Sequence, residues 1–341
     1  MFSNEKKINI FFYYWLFVSL ILVFLIVIIG GLTRITNSGL SITEWELITG
    51  ILPPMSDNSW NLYFEQYKKI PQFNLINFNM NLDEFKVIFY WEYIHRILAR
   101  LIGLFFLLPL IYFYFSKNIR KEYMFVCFLI FSLIVFQGII GWYMVKSGLI
   151  NDVTVSHYRL SIHLVTALII ISMIFWLLKN IISKNKKKFF QISINNFPFQ
   201  IFILMIFIQI IMGAFVSGLD AGQIYQTWPL MGNSFFPNDL IFKNLSDLFE
   251  LNNRSLVQFY HRAFAYFIIL YSFFLVIFIY KNKLNELYKP LKIVLFFLFL
   301  QSILGILTLI SGLNIFLASF HQIISVLLIF SALNLYYLRA K

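Results

Sequence analysis

The chain has 341 residues, of which 60% are hydrophobic, 20% aromatic and only 12% charged. Soluble domains carry about twice that charged fraction. Uncharged runs long enough to span a bilayer recur along the chain, so the sequence predicts a polytopic membrane protein surrounded by membrane lipid. The formal net charge of +12 does not indicate nucleic-acid binding, because the basic residues flank apolar runs, where they set membrane orientation.

Four apolar helices are predicted in the first half of the chain. They run from Ile10 to about Leu32, from about Val87 to Phe115, from Tyr123 to Val145 and from Arg159 to about Leu178. The first is preceded by two lysines and by no small-residue cleavage site. We therefore expect a retained helix and not a signal peptide.

The long polar segment between the first two helices, from Thr33 to about Lys86, is rich in aromatic residues. Loops of this length are more often functional than idle. Its Trp and Tyr side chains are compatible with a cap over the helix ends and, equally, with a belt at the membrane interface.

Four more helices are predicted in the second half. Two run from about Phe197 to Leu219 and from about Gln258 to Tyr280, with a second long loop between them. The stretch 293–338 contains no Asp, Glu, Lys or Arg, and its 46 residues are too long for one span. The sequence Ser311–Asn314 is a natural break within it, which brings the total to eight helices.

The distribution of basic residues predicts the orientation. Sixteen of the 27 lysines and arginines lie in the N-terminus, in the three turns that follow even-numbered helices, or in the C-terminal tail. All these segments fall on one side of an eight-helix protein. We therefore predict that both termini are cytoplasmic and that the long loops face outside.

An internal repeat relates the two halves. The odd-numbered helices share parts of one pattern, in which Gly precedes Ser-Gly-Leu: Gln137-x3-Gly141-x5-Ser147-Gly148-Leu149, Gln301-x3-Gly305-x5-Ser311-Gly312-Leu313, Gln209-x3-Gly213 with Ser217-Gly218-Leu219, and Gly31 with Ser38-Gly39-Leu40. We predict an all-α fold of two tandem, pseudo-symmetric four-helix bundles, formed by residues 1–180 and 181–341.

Three ionisable residues lie on one face at the start of the second helix. Glu92, His95 and Arg96 are spaced i, i+3 and i+4, so they share that face. Ionisable groups on an apolar helix are costly and indicate a site by default. A partial copy at Gln258–Arg262, with the pattern Gln-x2-His-Arg, recurs at the start of the sixth helix and replaces the Glu by Gln.

Four of the five histidines occupy matched places in the outer parts of the even-numbered helices: His95, His163, His261 and His321. Metal ligation is the commonest positive role of neutral imidazole, and two histidines on facing helices of a bundle can bind a heme iron from both faces. Zinc fits less well, because no Cys or carboxylate completes a set of four ligands. His157, in the loop before the fourth helix, has no counterpart and is interpreted as unrelated.

Basic residues near these pairs are candidates for binding the two propionates of a heme: Arg96, Arg262, Arg159 and Lys146. Arg can bind carboxylates bidentately, whereas snorkelling to the interface is an alternative for Lys146. Arg100 lies one turn deeper than Arg96, and the sequence does not identify its partner.

Glu92 is the residue that distinguishes the two halves. A carboxylate in a site of low dielectric constant can act as an acid or base, and a structural pair with Arg96 is the alternative. An electron carrier would need only the histidines. The pattern therefore predicts one heme site that reacts and one that only holds its heme.

The sequence resembles heme A synthases of the class found in mitochondria and related bacteria, over nearly the whole chain. Matching stretches include Gly39-Leu40-Ser41, Thr43-Glu44-Trp45, Glu92-x2-His95-Arg96, Gly141-Trp142-x-Met144-Val145-Lys146, Tyr158-Arg159-Leu160-x2-His163-Leu164, Thr227-Trp228-Pro229-Leu230-Met231, Gln258-Phe259-x-His261-Arg262 and His321-Gln322. Another class of the family carries a cysteine pair in an outer loop, whereas this chain has the single Cys127.

The resemblance implies oxidation of the C8 methyl group of heme O to a formyl group by successive hydroxylations, which yields heme A for cytochrome c oxidase. It implies that His95 and His163 face heme O, that His261 and His321 ligate a permanent heme b, and that Glu92 is the essential carboxylate.

We also expect a location in the bacterial plasma (inner) membrane, with the heme sites towards the outer, periplasmic side. The expected partners are heme O synthase, cytochrome c oxidase assembly factors and an electron acceptor that the sequence does not identify. A homo-oligomer is compatible with the sequence.

Two alternative functions remain open. A diheme b-type electron-transfer protein without substrate chemistry explains the four histidines but not Glu92. A heme transporter or assembly chaperone would need a path through both leaflets, whereas the ionisable groups cluster on the outer side.

Overall fold

The computed structural model describes residues 10–45, 49–149, 153–189 and 193–340. Its α-helices are α1 (Ile10–Ile35), α2 (Asp57–Tyr67), α3 (Pro71–Leu75), α4 (Leu82–Ser116), α5 (Lys121–Gly148), α6 (His157–Ile182), α7 (Phe197–Gly218), α8 (Arg254–Lys281), α9 (Tyr288–Ile310) and α10 (Ile315–Arg339). Within these ranges, eight helices, α1 and α4 to α10, are long and apolar enough to cross a membrane. The prediction of an all-α, multi-pass membrane protein is confirmed.

Several helices begin earlier than predicted, because polar first turns extend them beyond the apolar run. α4 begins at Leu82, where the Asn81 side chain accepts a hydrogen bond from Glu84 N (3.0 Å) and the Glu84 carboxylate accepts one from Asn81 N (2.9 Å). Such a capping box satisfies two helix-terminal N–H groups. α8 begins at Arg254 and α6 at His157, so His157 lies in a helix and not in the predicted loop.

The eight spans pack as two rings of four. In the first ring α1 contacts α4, α4 contacts α5, α5 contacts α6 and α6 returns to α1; in the second, α7 to α10 repeat this order. The rings join where α6 packs against α7 and α1 packs against α10. These two contacts exchange under a pseudo-two-fold axis that relates α1 to α7 and α6 to α10. The predicted pair of pseudo-symmetric bundles is therefore present.

Aromatic packing holds both rings together at the end opposite the histidines. The Trp15 indole N–H donates to Phe105 O (3.1 Å), and its ring lies 4.7 Å from that of Phe106. Across the junction between the rings, Tyr336 and Tyr337 of α10 place their rings 5.3 Å and 4.9 Å from Trp176 of α6. Large buried rings contribute strongly to core energetics, so this end carries the packing and the other end is available for polar groups.

The segment between α1 and α4 folds into a small apolar core of its own. Three of its aromatic side chains, Trp60, Phe64 and Tyr67, are buried together with Leu40 and Ile42, and they pack against Phe85 and Phe89 from the first turns of α4. Of the two predicted alternatives, the cap over the helix ends therefore describes these residues. Trp45, by contrast, remains 41% exposed.

Two polar contacts connect the bundles near the histidines. The Arg34 guanidinium lies 2.9 Å from the Asp220 carboxylate and also donates to the Ser217 carbonyl. About two turns deeper, Gln322 Nε2 donates to Val27 O (2.7 Å) across the α10–α1 contact. The two bundles are thus tied by α1 reaching towards α7 and by α10 reaching towards α1.

Candidate functional site

The first histidine pair faces across the first bundle. His95 of α4 and His163 of α6 have ring centroids 6.5 Å apart, with an angle of 37° between the rings. Taking a metal–imidazole bond of about 2.0 Å and a ring radius of about 1.1 Å, two coaxial imidazoles on one ion have centroids about 6.2 Å apart. The spacing therefore fits one metal ion held axially between the two rings.

Each of the four histidine rings packs against a glycine of the preceding membrane-spanning helix. A Cβ built on these glycines would lie 2.8 Å from Cε1 of His95 (at Gly30), 3.6 Å from that of His163 (at Gly141), 3.1 Å from that of His261 (at Gly213) and 2.9 Å from that of His321 (at Gly305). At Gly30, Gly213 and Gly305 a Cβ would come closer than an ordinary van der Waals contact, so the missing side chain allows the close approach, whereas at Gly141 a Cβ would make an ordinary contact. The glycine beside His95 is Gly30 and not the Gly31 of the predicted repeat; the other three belong to the repeat.

Glutamines one turn before three of these glycines bind the same histidines. Gln137 Nε2 donates to His163 O (2.8 Å), and Gln209 Nε2 donates to His261 O (2.9 Å). In the third case Gln301 O lies 3.1 Å from Nδ1 of the His321 ring. These contacts tie each histidine-bearing helix to its neighbour at the depth of the ring.

Several buried polar atoms near the histidines lack a hydrogen-bond partner within the described ranges. The nitrogens are Nδ1 of His95, His163 and His261 and Nη1 of Arg262. The oxygens are Oε1 of Gln137, Gln209, Gln258 and Gln301. Buried polar groups normally have partners. These unpartnered atoms are concentrated in residues that form or flank the two histidine pairs.

Glu92 is the centre of a closely bonded cluster beside His95, which we call the Glu92 cluster: Ser41, Ile42, Glu92 and Arg96. One carboxylate oxygen accepts from Ser41 Oγ (2.7 Å) and Ile42 N (2.9 Å); the other accepts from Arg96 Nε (3.1 Å) and Nη2 (2.6 Å). Glu92 is 3% exposed. The predicted alternative of a Glu92–Arg96 pair is thus present in the structure, and it is joined by two donors from the segment after α1.

Arg96 is fully engaged with its own surroundings. Besides Glu92, its guanidinium donates to Ile42 O (2.8 Å) and Glu44 O (3.2 Å) and lies over the Trp45 ring at 5.2 Å. All its N–H groups that point at the segment after α1 are therefore used in holding that segment against α4. Of the four propionate candidates, Arg96 has the least remaining capacity.

The corresponding residues of the second bundle bind differently. Gln258 is 2% exposed and donates from Nε2 to Tyr225 O (2.8 Å), while Arg262 donates to Pro229 O (2.9 Å) and Leu230 O (3.2 Å). Both residues therefore hold the loop between α7 and α8, but they do not pair with one another as Glu92 and Arg96 do. Arg262 keeps one buried N–H group for a ligand.

The two other propionate candidates lie at the outer ends of α5 and α6. Arg159 donates to the Ser147 hydroxyl and lies over the Tyr143 ring at 4.6 Å. Lys146 lies over the Trp142 ring at 5.1 Å. Both cations thus lie over aromatic faces, an arrangement that cation–π attraction stabilises.

The family of cytochrome oxidase assembly proteins (COX15-CtaA) matches residues 13–333 of this chain. The chain belongs to this family. It is 50% identical over 339 residues to a protein of Pelagibacter ubique named heme A synthase, and the match covers 97% of each chain. Proteins of the same name from Rickettsia felis (42% identical, 92% of this chain and 94% of the relative) and Wolbachia pipientis (42% identical, 96% and 92%) are similar over comparable lengths.

The structure shows the contacts of two residues of this family member whose partners the sequence did not identify. Arg100 donates to Gly50 O (2.9 Å), so it holds the segment before α2. His157 is buried where the bundles meet: its ring lies 5.1 Å from that of Phe215, and a Cβ on Gly218 would lie 2.6 Å from its Cβ. His157 therefore belongs to the junction between the bundles and lies apart from both histidine pairs.

Other residues that the structure brings to the site had little or no sequence signal. Ser41 and Ile42 reach Glu92 from about fifty positions away in the chain, with nothing in their local pattern to predict it. Gly30, which cradles His95, was detectable as half of a Gly-Gly pair inside the apolar run of α1. Within the described residues, no three His, Cys, Asp or Glu side chains are grouped to hold an ion.

A second polar group organises the loop between α7 and α8. The Asp239 carboxylate accepts from Ser255 Oγ (2.6 Å) and from the Tyr225 hydroxyl. Although burial alone would raise it, these hydrogen bonds hold the pKa of Asp239 below its ordinary value. Because Tyr225 also accepts from Gln258, this loop is connected directly to the turn of α8 that carries His261.

Proposed function

We propose that this protein is a heme A synthase, which oxidises the C8 methyl group of heme O to a formyl group and so supplies heme A for cytochrome c oxidase. One observation carries the proposal. The first bundle combines two histidines spaced for one metal ion with a buried carboxylate, Glu92, whereas the second has Gln258 in that place. Relatives named heme A synthase that align over nearly the whole chain support the same conclusion.

In this proposal the first bundle binds the substrate heme and the second binds the permanent heme. His95 and His163, in residues 1–180, take the iron of the substrate heme O. His261 and His321, in residues 181–341, hold a heme b as the permanent cofactor. The residues fit such a group: both rings have a glycine cradle, and Arg262 keeps a buried N–H group for a propionate. When bound, heme b would supply one-electron transfer towards the acceptor.

We infer that Glu92 handles the protons of the reaction. Its carboxylate is fixed by four donors, so it presents a negative charge in a constant position close to the His95 ring. The Ser41 hydroxyl, 2.7 Å away, is an exchangeable O–H group through which a proton can reach or leave the carboxylate. Gln258 cannot perform this role, because an amide does not accept a proton at neutral pH.

For the propionates we favour Arg159 and Lys146 at the substrate site and Arg262 at the heme b site. Arg159 and Lys146 have charged groups above aromatic rings and no carboxylate partner within the described ranges. Arg96 contributes by holding Glu92 and the segment after α1.

The proposed setting is the bacterial plasma membrane, with both termini cytoplasmic and both heme sites towards the periplasmic side. Heme O would arrive from heme O synthase, and heme A would pass to assembly factors of cytochrome c oxidase. The proposed orientation follows from the charge asymmetry of the loops, and the proposed partners follow from the proposed reaction.

Co-expression with a heme O producer tests the proposal. Hemes extracted from the membranes are separated chromatographically, and heme A is expected with the wild-type chain but not with Glu92→Ala. Gln258→Ala, which alters the matched position of the second bundle, should still yield heme A. Recovery of two permanent b hemes per chain, with neither heme O nor heme A, would instead favour a diheme electron-transfer protein and overturn the proposal.

A further inference from the structure

The glutamine–glycine pairs that support the histidines are incomplete at one place. In α5, α7 and α9 a Gln stands one turn before the cradling glycine and contacts the histidine of the next helix. In α1 the residue one turn before Gly30 is Ile26, which packs against the apolar core. Residues four apart share a helix face, so Ile26 takes the position of the three glutamines.

This difference between Ile26 and the three glutamines affects the histidine ring nitrogen that does not bind a metal. A histidine that ligates through Nε2 carries its proton on Nδ1, and an acceptor for that proton fixes the ring and strengthens the ligand. The Nδ1 atoms of His163 and His261 are buried without a partner in the described ranges, and so are the Oε1 atoms of Gln137 and Gln209, whose Nε2 atoms bind the backbone carbonyls of these two histidines. His321 Nδ1 lies 3.1 Å from the Gln301 backbone O, and His321 Nε2 lies 3.3 Å from Gln301 Nε2.

His95 differs from the other three. Its Nδ1 is equally buried and has no partner in the described part of the chain. Ile26 offers no acceptor, and no amide of α1 binds the His95 backbone carbonyl as Gln137 binds that of His163. The His95 ring packs against Gly30 and faces the His163 ring, and α1 contains no glutamine that could support it.

We propose that His95 is the exchangeable ligand of the first site, and that Gln137, Gln209 and Gln301 are positioning residues that make their three histidines fixed ligands. Ile26 then keeps ligand binding by His95 reversible, as a site that must release its product requires. His163 stays bound to the substrate iron while His95 dissociates from it. This inference rests on the proposed function for the identity of the ligand.

A gain-of-contact variant tests the inference. Ile26→Gln places the missing amide opposite His95, with Ile26→Leu as the matched apolar control; Gln137→Leu removes the amide behind His163. Each protein is purified from cells that make heme O, and loss of the first-site heme to an excess of an apo-protein scavenger is followed by absorbance. The first-site heme is identified as the one absent from His163→Ala.

We expect heme loss from Ile26→Gln to be about two- to ten-fold slower than from wild type, as one added hydrogen bond implies. Gln137→Leu should lose heme ten-fold faster or more, the usual effect of removing a metal ligand's supporting partner. The reduction potential of the first-site heme should fall in Ile26→Gln, because a hydrogen-bonded imidazole is a stronger donor, and a purely structural role for residue 26 would leave it unchanged.

Equal rates of heme loss for wild type, Ile26→Gln and Ile26→Leu would overturn the inference. If Ile26→Gln does not fold, the comparison of His95→Ala with His163→Ala decides: the inference requires His95→Ala to retain more first-site heme, and the reverse order refutes it. The assay measures release of the heme bound by His95 and His163, whether that heme is heme O or another heme. A chain that makes no heme A would thus contradict the proposed function without deciding this question.

Discussion

Replacing Glu92 by Gln should release the segment after α1 from α4. The substitution preserves size but removes the charge that Arg96 faces, and the Arg96 side chain is only 11% exposed. Four donors surround the carboxylate, so an amide in either orientation directs its own N–H group at two of them. Breaking a buried ion pair by removing one partner costs about 3–5 kcal/mol.

The expected effect is measurable at one backbone amide. Ile42 N donates to Glu92 at 2.9 Å, so its hydrogen exchange reports the opening of the Glu92 cluster. A loss of about 3 kcal/mol corresponds to a roughly 150-fold increase in the opening constant, at 1.36 kcal/mol per factor of ten. Exchange measured by mass spectrometry on protein in lipid nanodiscs should therefore accelerate by about two orders of magnitude for the peptide that contains Ile42.

Two matched variants make this test specific. Glu44→Gln changes an exposed carboxylate that accepts from Gln66 at 2.9 Å, and it should leave exchange at Ile42 nearly unchanged. Ser41→Ala removes one charged hydrogen bond, worth about 1.5–3 kcal/mol, and should give an intermediate acceleration. Unchanged exchange at Ile42 in Glu92→Gln would refute the energetic reasoning. If heme A formation were lost at the same time, Glu92 would act through chemistry and not through the loop.

Three further predictions concern the second bundle. His261→Ala should remove one permanent heme per chain, as counted by pyridine hemochrome spectra, and an unchanged count would contradict its role as an axial ligand. Gly305→Ala would place a Cβ 2.9 Å from Cε1 of His321, and overpacking of this kind costs about 1–3 kcal/mol. The melting temperature should fall and the heme spectrum should shift, whereas Gly138→Ala, whose Cβ would meet no described atom within 4 Å, should match wild type. Because the pKa of Asp239 is lowered in the folded protein, its ionised carboxylate stabilises the α7–α8 loop at pH values above the unfolded-state pKa of about 3.9. This stabilisation is lost as the pH falls through the lower pKa of the folded state. Protease cleavage of the loop should therefore rise below about pH 4 in wild type, and Asp239→Asn should be cleaved readily at pH 7 as well; equal resistance of the two at pH 7 would exclude this role.

The sequence was sufficient for the architecture because the signals involved are local. Eight apolar runs, the break near Gly312 and the repeat of Gln, Gly and Ser-Gly-Leu depend on neighbouring residues, and the structure reproduces them. Helix starts were less well predicted. α4 begins at Leu82 because a polar capping box continues the helix beyond its apolar stretch, and hydrophobicity does not register such turns.

Parts of the site were also available from the sequence alone. Matched positions in two copies predicted the histidine pairs, and the 6.5 Å separation of His95 and His163 agrees with that prediction. Membrane-spanning helices have few ionisable residues, so each one stands out against its apolar surroundings. The replacement of Glu92 by Gln258 in the second copy likewise required only a comparison of two short motifs.

Only the tertiary structure determined what these residues contact. Whether Glu92 is a free acid or a paired carboxylate depends on Ser41 and Ile42, which the chain path brings back from the end of α1. The same holds for Gly30 beneath His95 and for the Gly50 carbonyl that receives Arg100. Composition and spacing report which groups a helix carries. The partners of those groups are set by non-local backbone packing, because a hydrogen bond depends on distances of a few tenths of an ångström between segments far apart in the chain.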